Sequence, residues 1–266
     1  MNTIGLLTWK SISLLVVATL WLFCLPTTAQ TAKKAEADAT KKESSESQTQ
    51  TSTNQEQFDF SSTGRPGNQT AGENRGSCPN VHSSLTAIVP DSHSGQTTSA
   101  YPRFWVYMPY YAHQLSQVEF VLQDDRGRDV WRSPVNLSQS PGYINFALPQ
   151  ALSPLEVGRS YQWYVKVNCD PDLTSPPLYV RGWIERINLN SSLYTTLQNQ
   201  EQKPYIVYAR NGIWYDAIDR LLSLYTTDSN YNNSLLQQDW QQLLNSQGVT
   251  LQLPTPHYNL ELVKER

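Results

Sequence analysis

Two cysteines, Cys78 and Cys169, are the side chains of this sequence best suited to covalent chemistry. The third cysteine, Cys24, lies in an apolar N-terminal stretch that has the pattern of a cleaved export signal. Two cysteines left in an oxidising compartment most economically form one disulfide, so the pattern predicts a Cys78–Cys169 bridge. A free nucleophilic thiol and half of a metal site are the alternatives.

Three short polar segments hold side chains of catalytic or metal-binding type. "DSHSG" (91–95) brings serine and histidine together, but sequence neighbours seldom form a nucleophile–base pair, and a loop between strands is the simpler interpretation. "DDRGRD" (124–129) is shorter than a calcium-binding EF-hand loop and lacks its closing glutamate. "CDPD" (169–172) has the composition of an ordinary loop. With no recognised catalytic motif elsewhere, we predict no catalytic residue, no metal site and no cofactor.

Aromatic side chains between residues 101 and 111 form a further candidate site. Alternation places Phe104 on one face of this segment and Trp105 on the other. Something must cover the second face, and the C-terminal helices are the favoured cover, with a ligand or partner as the alternative. An exposed strip would suit carbohydrate or protein binding. The candidate binding surface comprises Trp105, Tyr107, Tyr110 and Tyr111.

The elements that must position these residues are short strands with period-two alternation. They are predicted at 85–90, 101–111, 117–123, 130–134, 142–149, 160–169 and 178–187. No helix-period segment interrupts them, which disfavours parallel βαβ units and favours an antiparallel β-sandwich over residues 77–187.

One strand carries a more specific signal. The run "LSPLEVGRSYQWYVKV" resembles the corner and following strand of immunoglobulin and fibronectin III-like sandwiches. Leu155, Gly158 and Tyr161 match the positions of that corner, where the tyrosine hydroxyl bonds to the corner backbone. The resemblance marks Gly158 and Tyr161 as indicators of the fold and says nothing about function.

Helical periodicity replaces the strand pattern after residue 187. Helices are predicted at 192–200, 204–210, 213–225 and 235–244, and Pro204 is well placed in the first turn of the second. We expect a helical hairpin region over 188–250 that packs on the sandwich. Residues 251–266 are predicted to form an irregular tail.

The N-terminal part predicts export. Residues 1–29 resemble a signal peptide cleaved between Ala29 and Gln30, with a retained anchor as the alternative. No later segment is apolar and long enough to span a bilayer, so no membrane span is expected after cleavage. Residues 30–76 are polar and predict a disordered linker.

Several motifs together resemble one family: "RGSC" (75–78), "LTAIVP" (85–90), "YPRFWVYMPY" (101–110), "GRSYQWYVKVNCD" (158–170), "GWIER" (182–186) and "NGIWYDAI" (211–218). This combination resembles the DUF928 family of exported, mainly cyanobacterial proteins. The resemblance extends over about residues 75–250 and implies export and a sandwich followed by helices. The family has no assigned biochemical activity, so no catalytic residue is implied.

Composition narrows the functional classes. The formal net charge is −3, and no basic patch of the kind that binds nucleic acid is present. The favoured hypothesis is an exported, non-catalytic module, periplasmic or extracellular, that binds an envelope protein. A carbohydrate-binding module of the cell wall or extracellular matrix is the first alternative. An enzyme with an unrecognised carboxylate site is the second.

Overall fold

Most strands of this protein have apolar residues at alternating positions. The computed structural model describes residues 57–71, 77–137, 141–199, 203–227, 233–256 and 260–262. The strands in these ranges are β1 (Thr86–Ala87), β2 (Ser94–Thr97), β3 (Arg103–Met108), β4 (Gln117–Asp124), β5 (Asp129–Pro134), β6 (Gly142–Ala147), β7 (Ser160–Asn168), β8 (Leu178–Arg186) and β9 (Leu260–Leu262). A single 3₁₀ turn, Ala112–Gln114, separates β3 from β4.

The strands form two sheets that pack face to face. One has the order β1-β3-β6-β9 and the other β2-β8-β7-β4-β5. Their shared core is aromatic: Phe104 of the first sheet lies 5.0 Å from Phe120 and 5.5 Å from Trp163 of the second, measured between ring centroids. The expectation of a mainly β protein with additional helices is therefore confirmed.

The sheets are mixed, whereas the sequence predicts a purely antiparallel sandwich. β2 pairs with β8 and β9 pairs with β6, and both pairs are parallel. β2 begins inside the predicted loop 91–95. The sequence does not predict it, because "SGQT" has no alternation of apolar residues and is a strand through its hydrogen bonds to β8. β9 likewise corrects the prediction that all of 251–266 is irregular.

Four helices follow the sandwich: α1 (Ser191–Gln198), α2 (Pro204–Arg210), α3 (Trp214–Thr227) and α4 (Asn233–Leu244). The apolar stripes of α3 and α4 are buried as their periodicity predicts, and α3 packs on β2 and β3. None of the helices in the described ranges is long and apolar enough to cross a membrane.

Residues 57–71, which we call the N-terminal segment, lie against both sheets. Phe58 and Phe60 are buried, and the Phe60 N–H donates to Gln247 O at 2.9 Å. Further along, Asn68 forms an isolated antiparallel β-bridge with Arg181 of β8, and Thr70 forms one with Thr86 of β1. The prediction of a disordered linker over 30–76 is wrong for these residues. They are held largely by backbone hydrogen bonds, which a polar composition does not reveal.

The remaining linker residues, the signal peptide and its cleavage site at Ala29 and Gln30 lie outside the described residues.

Two other predicted features, the disulfide and the tyrosine corner, lie within the described residues. Cys78 and Cys169 form a disulfide with a sulfur–sulfur distance of 2.00 Å, which closes a sequence separation of 91. Buried Tyr161 accepts a hydrogen bond from the Glu156 N–H at 3.0 Å, and Gly158 has the positive φ of 75° that suits glycine.

Candidate functional site

The aromatic surface predicted on β3 is mostly covered. Trp105 is 2% exposed and Tyr110 is 5% exposed, while Tyr107 is half-buried and contacts the Tyr143 ring at 5.4 Å. Only Tyr111, at 52%, is exposed among the four. Helices α3 and α4 cover the second face of β3, as the favoured expectation had it, and the alternative of an exposed aromatic strip is wrong here.

Helix α3 is fixed to both sheets by hydrogen bonds of aromatic side chains. The Trp105 indole N–H donates to Asp219 Oδ1 at 3.0 Å, and the Trp214 indole N–H donates to Ile88 O at 2.8 Å. The Tyr215 hydroxyl accepts from the Trp163 indole at 2.7 Å and donates to Trp183 O at 2.9 Å. These bonds satisfy buried donors that would otherwise destabilise the fold.

A cavity of about 600 Å³ beside α3 contains two carboxylates, Asp216 and Asp219. Asp216 accepts hydrogen bonds from the Thr98 N–H at 2.9 Å and the Thr98 hydroxyl at 3.0 Å. Burial raises the pKa of the Asp216 carboxyl, the hydrogen bonds from Thr97 and Thr98 oppose that rise, and the nearby Asp219 charge adds to it.

Asp219 also faces Arg103, whose guanidinium lies 3.3 Å away. Together with its bond from the Trp105 indole, this contact ties β3 to α3. Both carboxylates of the cavity thus bond to the chain itself and join the helix to the β-sandwich. Structural networks of this kind also perturb the pKa of a carboxyl, so the raised pKa of Asp216 does not by itself indicate a catalytic role.

Each of the three polar segments has at least one side chain that bonds to the backbone of the same segment. In the first, the Ser92 hydroxyl donates to Ser94 O at 3.1 Å. In the second, Asp124 accepts from the Arg126 and Arg128 N–H groups, each at 2.9 Å. These bonds, the Arg128 N–H first among them, lower the pKa of Asp124 to about 2.

The third loop follows the same pattern. Asp170 accepts three backbone N–H bonds, from Asp172, Thr174 and Ser175, and one from the Thr174 hydroxyl. The Thr174 hydroxyl first, and then these N–H groups, hold the pKa of Asp170 well below its ordinary value. Among the described residues, no three side chains of metal-ligating type are grouped so as to hold an ion.

A different surface presents side chains outward. We call it the outer face: the side of β7 and β8 that points away from the sandwich core, with Tyr164, Tyr179, Arg181 and Trp183. Register places Tyr164 opposite Arg181, and the rings of Tyr164 and Tyr179 lie 6.5 Å apart. Tyr179 is 39% exposed, and the other three side chains are half-buried. Within the described ranges, no helix packs broadly on it.

Cations surround these rings. The Arg65 guanidinium lies 4.8 Å from the Trp183 ring centroid, a cation–π contact supplied by the N-terminal segment. Lys166 stands opposite Tyr179 and lies 3.8 Å from Glu119. Arg181 has no carboxylate within ion-pair distance among the described residues, and its buried Nε has no hydrogen-bond partner there.

Sequence reasoning did not identify the outer face. The alternation of 160–169 indicates that Tyr164 and Lys166 point outward, but only the strand register brings them beside Tyr179 and Arg181. Arg65 belongs to a segment predicted to be disordered, so its place over Trp183 had no sequence signal.

The family model for "Domain of Unknown Function (DUF928)" matches residues 70–255. The chain belongs to the DUF928 family. No functionally curated protein matches it. Among solved structures, FlgD from P. aeruginosa is similar over 33% of this DUF928 chain and 66% of its own, just under two thirds, at 19% identity and a TM-score of 0.25. A likeness at this level supports no conclusion about the function of this chain.

Proposed function

We propose that this protein is an exported, non-catalytic binding module of the cell envelope, and that the outer face is its binding surface. The observation that carries the proposal is a sheet surface that combines Tyr164, Tyr179 and Trp183 with Arg181 and is left open by the described helices. Aromatic and arginine side chains on an open surface are typical of binding sites.

Three further features support the proposal. The Cys78–Cys169 disulfide is the kind of bond that persists in oxidising compartments outside the cytosol. The carboxylates of the α3 cavity are engaged in holding α3 in place, which favours a structural role for them. The bond from the Glu156 N–H to the Tyr161 hydroxyl supports an immunoglobulin or fibronectin III-like sandwich, a fold widely used for binding.

The partner class follows from the chemistry of the outer face. The sequence alone favours an envelope protein, whereas the outer face favours a glycan. Its rings lie beside the charged pair Lys166 and Glu119, and such residues are depleted at the centre of protein interfaces. The carbohydrate-binding alternative is therefore the version of the proposal that the geometry supports best.

Site-specific photocrosslinking tests the binding surface. A photoreactive phenylalanine analogue replaces Tyr179 and, in a control, Tyr194 of α1, which is also exposed. After incubation with an envelope fraction and irradiation, we expect an adduct from position 179 and none from position 194. Equal adducts, or none from position 179, would contradict the proposed binding surface.

N-terminal sequencing of protein recovered outside the cytoplasm tests export separately. The expected first residue is Gln30. An intact Met1 on protein found only in the cytoplasm would contradict export.

A further inference from the structure

The outer face continues into a groove at one end of the sheet. The groove has a volume of about 270 Å³, and its lining includes Lys166, Asn168, Leu173 and Ser175. Lys166 belongs to both, because it lines the groove and stands opposite Tyr179 across the β7–β8 pair. The rings and the groove thus form one continuous surface.

The rings are spaced along this surface. Tyr179 and Trp183 are four residues apart on β8, which corresponds to about 13 Å at the usual rise of a strand. Tyr164 lies between them on β7, opposite Arg181. An extended ligand that crosses the face along β8 would meet the Tyr179 ring, then the Arg181 guanidinium, and then Arg65 above the Trp183 ring.

The charge of this surface differs from that of the whole chain. The formal net charge of the chain is −3, yet Arg65, Lys166 and Arg181 beside the rings outnumber the acidic Glu119 and Glu185 of the same face. Arg181 is not neutralised by any carboxylate among the described residues, and Glu119 is shared between Lys166 and Arg132. A ligand with its own carboxylates would supply the missing partner, since guanidinium groups bind carboxylates with paired, charge-assisted hydrogen bonds.

We infer that the outer face binds an acidic polysaccharide, with sugar carboxylates at Arg181 and Lys166. The C–H face of a sugar ring packs on the exposed Tyr179 ring, since aromatic side chains offer flat apolar surfaces beside polar groups. In the groove, the exposed Gln117 amide can donate to and accept from sugar hydroxyls. This inference rests on the proposed function and adds the chemical class of the ligand.

Binding of the mature protein to polygalacturonate tests the inference, with dextran as a neutral polysaccharide and polyglutamate as a polyanion without sugar rings. We expect binding to polygalacturonate alone. That binding should weaken as salt rises from about 0.05 to about 0.5 M, because salt screens exposed charges. Equal binding to dextran would overturn the role of the sugar carboxylates. Equal binding to polyglutamate would overturn the role of the sugar rings, since a polyanion without them would bind as well.

Variants locate the binding to the face. Tyr179→Ala and Arg181→Gln should each weaken polygalacturonate binding about tenfold or more, while Tyr194→Ala should leave it unchanged. Tyr179 is exposed, so its loss should leave the thermal midpoint unchanged and the result interpretable. Absence of polygalacturonate binding together with a protein adduct from position 179 would overturn the inference and leave the proposed function standing. No binding and no adduct would overturn both.

Discussion

Replacing Phe60 by alanine tests whether the N-terminal segment is part of the folded domain. Phe60 is buried, and its ring meets the Trp214 ring edge to face at a centroid distance of 4.8 Å. Truncation of a buried phenylalanine costs about 3–5 kcal/mol in transfer and cavity terms. For a domain of this size, that corresponds to a fall of roughly 6–20 °C in the unfolding midpoint.

Two measurements separate global from local destabilisation. Thermal unfolding followed by tryptophan fluorescence reports the whole domain. Chymotrypsin cleavage after Phe58, identified by mass spectrometry, reports release of the N-terminal segment, since Phe58 is buried when the segment is bound. We expect a lower midpoint and faster cleavage in Phe60→Ala, and neither change in Tyr194→Ala. If Phe60→Ala changed neither quantity, the segment would not be bound as described, and the argument would fail.

Three further predictions concern the disulfide and helix α3. Replacing Cys78 and Cys169 by serine should cost about 4–5 kcal/mol by the loop-entropy model for a separation of 91, measured by urea unfolding; an unchanged midpoint would argue against the bridge. Asp219→Ala leaves the Trp105 indole without an acceptor and should cost about 1–3 kcal/mol, whereas Asp219→Asn should cost less; equal losses would refute the hydrogen-bond argument. Burial raises the pKa of Asp216 above its ordinary 3.8, so the stability it contributes is present at low pH and is lost as pH rises through the folded-state pKa. Wild type should therefore lose stability relative to Asp216→Asn as the pH rises above about 4 in urea titrations, and a pH-independent difference would contradict this.

The strands that the sequence identifies are those whose stability depends on alternating apolar side chains. β7 is the clearest case, with Tyr161, Trp163, Val165 and Val167 buried on one side. The helices were equally readable, because the stripe of α3 has the helical period and Pro204 marks the start of α2. These are local patterns, and each is visible within one segment of the chain.

The features that were missed depend on partners far away in the sequence. β2 has a polar composition and is a strand because β8 supplies its hydrogen bonds. The N-terminal segment is polar apart from Phe58, Phe60 and Ala71, and its fixed position comes from bonds to residues more than a hundred positions away as well as to nearby β1. The outer face was missed for the same reason, since register decides which outward side chains are neighbours.

The pairing of Asp59 with Gln247 has a consequence for how the protein folds. Synthesis begins at the N-terminus, so the N-terminal segment is made long before the residues after α4 that it must contact. Contacts between such distant residues form slowly, because a large loop must close first. Until the contact of Asn68 with Arg181, which is also distant in sequence, forms, the edge of β8 that the segment covers stays unpaired and can recruit strands of other chains. The rate at which the N-terminal segment docks therefore sets how long a newly made chain is prone to aggregate.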